Sequence, residues 1–141
     1  MNDPWSLFGT TPTGALVTRK RDGGPQLSNV SYLWDPGARS LLISVTDDRA
    51  KTRNLRRDPR ASFYVTSPDF GAYAVGEGVA ELGAVALAPD DASADALVAQ
   101  YRALRGEHPD WAEFRTAMVA ERRLLVRLPL TYAYGWAPDG R

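Results

Sequence analysis

Cysteine is absent from this 141-residue chain. Its absence removes disulfides, thiolate nucleophiles and Cys-based metal sites. Histidine occurs once, at His108, so a Ser-His-Asp triad or a multi-histidine metal centre would hang on one residue, and no metal site is expected. No apolar run approaches the ~18–20 residues of a membrane span, so no membrane association is expected. Met1-Asn2-Asp3-Pro4-Trp5 lacks the charged and then apolar regions of a signal peptide, and the expectation is a soluble cytoplasmic protein. Charge of one sign is missing as well, since 17 Lys+Arg balance 17 Asp+Glu. That disfavours a protein working through bulk attraction to nucleic acid. Lysine is scarce: Lys20 and Lys51 stand against fifteen arginines. No GxGxxG or GxxxxGK[ST] string is present, and no carboxylate pair stands out as acid and base.

What remains is enough for a core. With 44% hydrophobic and 24% charged residues, the composition is that of a folded chain, and one domain over residues 1–141 is expected. Strand patterns dominate. Gly14–Lys20 is an apolar run that turns polar, and Asp22-Gly23-Gly24 supplies a hairpin turn. Gln26–Trp34 alternates, with a slip at Asn29-Val30 that marks a bulge. Asp35-Pro36-Gly37 is a turn, and Leu41–Thr46 a third strand, which together predict an antiparallel meander. Asp48 caps a short helix over Arg49–Arg57. Ala61–Thr66 and Ala72–Leu82 read as strands, with Gly76 and Gly78 marking a bend or a close backbone approach. Pro89-Asp90-Asp91 opens a helix carrying Leu97, Val98, Tyr101 and Leu104 on one face. After Gly106–Pro109 a second helix spans Asp110–Glu121, and Arg123–Leu128 is a sixth strand that Thr131–Trp136 extends past Pro129. Without βαβα alternation, the fold class is mainly β (α+β): a small antiparallel barrel or sandwich with peripheral helices.

The chemistry-bearing segment runs from Asp47 to Arg60. Arg49, Lys51, Arg53, Arg56, Arg57 and Arg60 face three aspartates there. Free N–H groups at a helix start favour anions, and Arg49, Lys51 and the Thr52 hydroxyl add donors, so a phosphate fits. The same run is equally consistent with a solvated helix face whose arginines pair with acids. Pro25–Val30 is either an ordinary half-buried strand or one that accepts the edge of a ring system. Phe70, Tyr73, Tyr132, Tyr134 and Trp136 form a ring-stacking wall or plain core. With so few acid–base or nucleophilic groups, an enzyme built this way leaves the chemistry to a bound cofactor, and no side chain is assigned a catalytic role.

The string Arg49–Arg60, with Pro25-Gln26-Leu27-Ser28-Asn29-Val30 before it, resembles the pyridoxamine phosphate oxidase-like split β-barrel family. More narrowly it is similar to the branch using the deazaflavin coenzyme F420, the flavin/deazaflavin oxidoreductase B group. Tyr73-Ala74-Val75, Gly106-Glu107-His108 and Leu128-Pro129-Leu130 add to the likeness, which runs from about Gly14 to the C-terminus. The resemblance implies a homodimer of six-stranded antiparallel split β-barrels with two cofactor sites at the interface. It implies that Arg49, Lys51 and Thr52 hold the cofactor phosphate, with Ala50 among the cofactor-binding residues, that Arg53 and Asn54 lie near its tail, and that Gln26, Leu27, Ser28 and Asn29 line the ring system, partly through backbone. Tyr73 matches a tyrosine of the relatives; two residues before it, where relatives often carry a tryptophan, this chain has Gly71, and Phe70 takes that place through a one-residue shift. The implied activity is hydride transfer between reduced F420 and a small conjugated organic substrate. Alternatives are an FMN-dependent oxidase or reductase of the same fold, disfavoured by the surplus of arginines beyond phosphate needs, and a non-catalytic F420 carrier or sensor.

Overall fold

The structure, a computed structural model, describes residues 3–138. After a short 3-10 turn at Pro4–Leu7, the elements are β1 (Thr13–Arg19), β2 (Pro25–Ser31), β3 (Leu33–Asp35), β4 (Ser40–Thr46), α1 (Ala50–Arg57), β5 (Arg60–Thr66), β6 (Tyr73–Val79), β7 (Glu81–Leu82), α2 (Ala92–Arg105), α3 (Trp111–Ala120) and β8 (Arg123–Trp136). The ladder order is β2-β1-β5-β6-β8-β4-β3, with β7 also on β8. All pairings are antiparallel. The result is a curled half-barrel with three α-helices, the split-barrel architecture expected. The eight segments come from six extended stretches, two of them interrupted at the buried residues Tyr32 and Ala80.

Turn chemistry sets the hairpins. Gly23 takes φ +86°, and Asp22 Oδ1 accepts from Gly24 N at 2.9 Å. Asp35 Oδ1 accepts from Gly37 N and Ala38 N, closing the β3–β4 turn. The expected meander is altered in its middle strand. The break falls at Tyr32 rather than Asn29-Val30, so β2 pairs with β1 while β3 pairs with β4. Tyr32 sits in the core, edge-on to Phe63 at 4.7 Å, and its hydroxyl accepts from Gly9 N at 2.8 Å. Burying a ring at the bend ties both edges of the sheet to one core.

β8 is continuous through Pro129, which a central strand ordinarily rejects. Its first half pairs with β4, from Thr46↔Arg123 to Ser40↔Pro129, and its second half with β6, from Gly78↔Leu130 to Tyr73↔Trp136. Pro129 stands at the handover, where a missing N–H interrupts neither ladder. Gly78 and Gly76 permit the approach: a Cβ on the first would meet the Pro129 carbonyl oxygen, and on the second the Leu130 side chain.

Two apolar clusters result. The barrel interior holds Leu16, Leu41, Ile43, Val45, Phe63, Val65, Leu124, Val126 and Leu128. The second cluster lies outside, where Leu97, Val98, Phe114 and Met118 of α2 and α3 cover Leu125 of β8. Asp91 caps α2, accepting from Ala94 N at 2.8 Å, and Asp110 caps α3. α1 begins differently from the expectation: Arg49, not Asp48, is its N-cap, and no side chain caps it.

Candidate functional site

The barrel is split where β2 and β4 face each other without a ladder. β2 pairs only with β1, and β3 covers β4 only from Ser40 to Leu42. A cavity of about 380 Å³ lies in this gap. β2 contributes Asn29, Val30 and Ser31, and β4 contributes Ser44, Val45 and Thr46. Arg49 and Lys51 enter from the β4–α1 connection and Arg123 from the start of β8. The outer wall is α2 and α3, through Gln100, Tyr101, Leu104, Arg105 and Phe114.

Four cations line this space, and no carboxylate does. Among the described residues, Arg49 and Lys51 make no side-chain hydrogen bond or ion pair. Burial lowers the Lys51 pKa, and the charges of Arg49 and Arg123 lower it further. Arg123 is bound to Glu121 at 2.9 Å, and Arg105 donates to the neutral Ser31 Oγ at 2.9 Å. Thr46 Oγ1 is buried without a hydrogen-bond partner. A buried hydroxyl left unpaired costs free energy that a ligand oxygen would restore. Repelling cations, an uncapped helix start and an orphaned hydroxyl around one cavity are together suited to an anion.

The expected site residues divide among several places. Asn29, Arg49 and Lys51 meet in the cavity. Thr52 is fully buried, and its hydroxyl donates to the Thr46 carbonyl at 2.7 Å, so that proton is already engaged. Asn54 Nδ2 donates to Thr18 Oγ1 and Gln26 Oε1, both at 3.1 Å, and its Oδ1 accepts from Arg57 at 2.8 Å. Asn54 and Gln26 therefore staple α1 to the β1–β2 hairpin. Leu27, on the outer face opposite Val17, is exposed, while Ser28 is half-buried opposite Leu16. Ala50 and Arg53 line a separate shallow depression with Lys20, Arg21 and Arg57. Phe70, exposed at φ +63°, borders another cavity of about 630 Å³ with Gly14, Tyr64 and Thr66, and Asn29 also lines it. Tyr73 stacks on Tyr64 at 6.1 Å.

Part of the arginine surplus is engaged inside the chain. Arg53 donates to the Asp48 carbonyl at 2.7 Å, Arg56 pairs with Asp47 at 2.6 Å, and Arg57 donates to the Arg19 carbonyl at 2.8 Å. Hydrogen bonds from Arg122 and then Arg56 hold the Asp47 carboxyl below its usual range.

Sequence reasoning missed Ser44, Thr46, Gln100, Arg105 and Arg123. Gln100 alone left a signal, a polar residue beside the apolar stripe of α2; it is buried and donates to the Leu42 carbonyl at 3.3 Å.

A curled antiparallel sheet flanked by helices, with an anion-suited cavity in its split, defines the split-barrel class. The chain belongs to the pyridoxamine 5'-phosphate oxidase family, whose model matches residues 6–137. Among solved structures it is similar to a conserved hypothetical protein from Mycobacterium tuberculosis, with a TM-score of 0.72 at 24% identity over 97% of this chain and 85% of that one. A protein described as an F420 reductase gives 0.66 at 24% identity, covering 92% and 94%. A heme binding protein from Mycobacterium smegmatis gives 0.69 at 24%, covering 98% of this chain and 54% of that one. At these identities the likeness concerns the fold. No helix among the described residues is long and apolar enough to cross a membrane.

Proposed function

We propose that the chain is an oxidoreductase that holds coenzyme F420 by its phosphate in the cavity of the split and moves hydride between the reduced deazaflavin and a small conjugated organic substrate. The observation that carries the reading is a cavity lined by Arg49, Lys51, Arg105 and Arg123 with no carboxylate and with the unpaired Thr46 hydroxyl. These groups fit a phosphate. Arg49 and Lys51 supply charge, Thr46 a hydroxyl, and the uncapped start of α1 its N–H groups. When bound, the reduced deazaflavin supplies the hydride, and the protein's part is placement and electrostatics. Asn29 lines both the cationic cavity and the one edged by Tyr64 and Phe70, so a ring system along the unpaired edge of β2 extends toward that aromatic shelf.

The reading includes a homodimer and a cytoplasmic setting. Tyr73, Tyr132, Tyr134 and Trp136 project from β6 and β8, and all four are exposed. Paired residues Tyr73↔Trp136 and Val75↔Tyr134 place them on one side of the sheet. An aromatic face of this kind is suited to a second copy, whose residues would complete the ring end of the site.

FMN is the second reading, favoured by the ion pair that engages Arg56 with Asp47. Titration of the pure protein with F420 and with FMN separates the two. The expected result is saturable F420 binding, weakened about tenfold or more in Lys51→Met as one charge-assisted contact is lost, with thermal stability unchanged. No measurable F420 binding overturns the reading. Binding without turnover across enones, quinones and tetrapyrroles leaves a carrier or sensor.

A further inference from the structure

We infer that a second ligand site lies between the N-terminal turn and the Ser67-Pro68 loop, and that it takes a flat conjugated ring bearing a positive charge or N–H donors and rejects carboxylates and phosphates. On the proposed function this is the substrate end of the reaction; that role rests on the reading above, whereas the site itself rests on the cavity. The cavity holds about 470 Å³, within the ~300–1,000 Å³ of small-molecule sites. It adjoins the one edged by Tyr64 and Phe70, because Thr11, Ser67 and Pro68 line both. Tyr64 of the first stacks on Tyr73 of the second at 6.1 Å.

In charge this site is the reverse of the split. Four cations line the split. Among the described residues no Lys, Arg or His lines the second cavity, and Asp3 is its one charged group. Asp3 Oδ1 accepts from Trp5 N at 2.9 Å and so caps the 3-10 turn. Its Oδ2 makes no hydrogen bond or ion pair among the described residues. The hydroxyls add to the same bias. Each has one proton to give, and here each gives it inside the chain. Ser6 donates to the Asp3 carbonyl at 2.8 Å, Thr10 to the Leu7 carbonyl at 2.6 Å, Thr11 to the Thr13 carbonyl at 3.1 Å and Ser67 to Asp69 Oδ1 at 2.8 Å. What these oxygens offer a ligand is lone pairs. The side-chain donors that remain are the Tyr73 phenol and the Trp136 indole, both neutral. An anion would lose its hydration here with no cation to offset the loss. A cation gains a carboxylate and two neighbouring rings, since Tyr73 and Trp136 are partners in the β6–β8 ladder.

The test is calorimetric titration of the full chain with three probes of one shape: naphthylmethylammonium, naphthylmethanol and naphthoate. The titrations are repeated on Asp3→Asn, which keeps a capping side chain, and on Trp136→Leu. The net charge of zero gives no bulk bias among the probes. The ammonium is expected to bind about tenfold more tightly than the alcohol, the gain of one charge-assisted contact. Asp3→Asn removes that ratio and leaves the alcohol unchanged, while Trp136→Leu weakens both. Any naphthoate binding belongs to the split, so it is lost in Lys51→Met and survives Trp136→Leu. Equal binding of ammonium and alcohol by the wild type overturns the inference, as does a ratio that survives Asp3→Asn or naphthoate binding that Trp136→Leu abolishes. Should Trp136→Leu fail to fold, the wild-type and Asp3→Asn ratios decide. A parallel F420 titration separates the two readings. The ammonium preference without F420 binding sustains this site and removes the cofactor reading, and F420 binding without the preference does the reverse. Where reduced F420 supports turnover of an enone or quinone, the ammonium probe is expected to inhibit competitively with that substrate; turnover it leaves untouched removes the substrate role.

Discussion

Asp47 accepts from Arg56 at 2.6 Å and from Arg122 at 2.8 Å, and neither arginine lines the cavity. Two residues further on, Arg49 has no such acid. One carboxylate thus sorts neighbouring cations into structural and available ones. Asp58 does similar work for Arg60, through contacts of 2.7 Å and 3.0 Å, and its pKa falls from 3.8 to about 2. The sign of its pH effect follows from that depression. Between pH 3.8 and about 2 the unfolded chain binds a proton that the folded chain refuses, so this stabilisation is complete above pH 3.8 and is lost as pH falls through about 2. Asp58→Asn should therefore lower the melting temperature at pH 7, and the gap between variant and wild type should close toward pH 2 in a pH series of thermal melts. A gap that stays constant with pH would refute the assignment.

At the scale of elements, β8 carries the architecture by changing partners at Pro129. The exchange demands close backbones, and Gly78 supplies the space. Gly78→Ala would drive a methyl group into the Pro129 carbonyl, with no flexible side chain to give way. The expected loss is about 1–3 kcal/mol, the cost of overpacking a tight contact, read from urea unfolding. Gly23→Ala in the β1–β2 turn meets no neighbour but sits at φ +86°, so it measures backbone strain separately from packing. The α1 staple belongs at this scale as well. Thr18, Gln26, Asn54 and Arg57 hold the helix to the hairpin, placing Arg49 and Lys51 beside the split.

For the whole molecule, the exposed aromatic side of β6 and β8 is the feature that a lone chain leaves unexplained. Tyr134→Arg places a charge at its middle and is expected to give a monomer by light scattering at micromolar concentration, where the proposal expects the wild type to be a dimer. The variant should keep its thermal transition and lose about tenfold or more in F420 affinity if a second copy completes the site, since a missing wall removes several contacts. A monomeric wild type would remove the dimer from the proposal.

The amino-acid order by itself determined most of the strands and helices, because period-2 and period-3.6 patterns, Asp-Gly turns and acidic helix starts act within a few residues. It also marked Asn29, Arg49 and Lys51, since unusual charge next to a helix start is a local property. Only the tertiary structure decided that Tyr32 breaks the second strand, that Pro129 falls between two ladders, and that Arg105 and Arg123 join Lys51 around one cavity. Those facts depend on which distant segments share a wall. The same holds for the internal engagement of Thr52, Asn54, Arg56 and Arg57: a side chain's spare donors are fixed by its neighbours in space, and one-dimensional spacing does not carry that information.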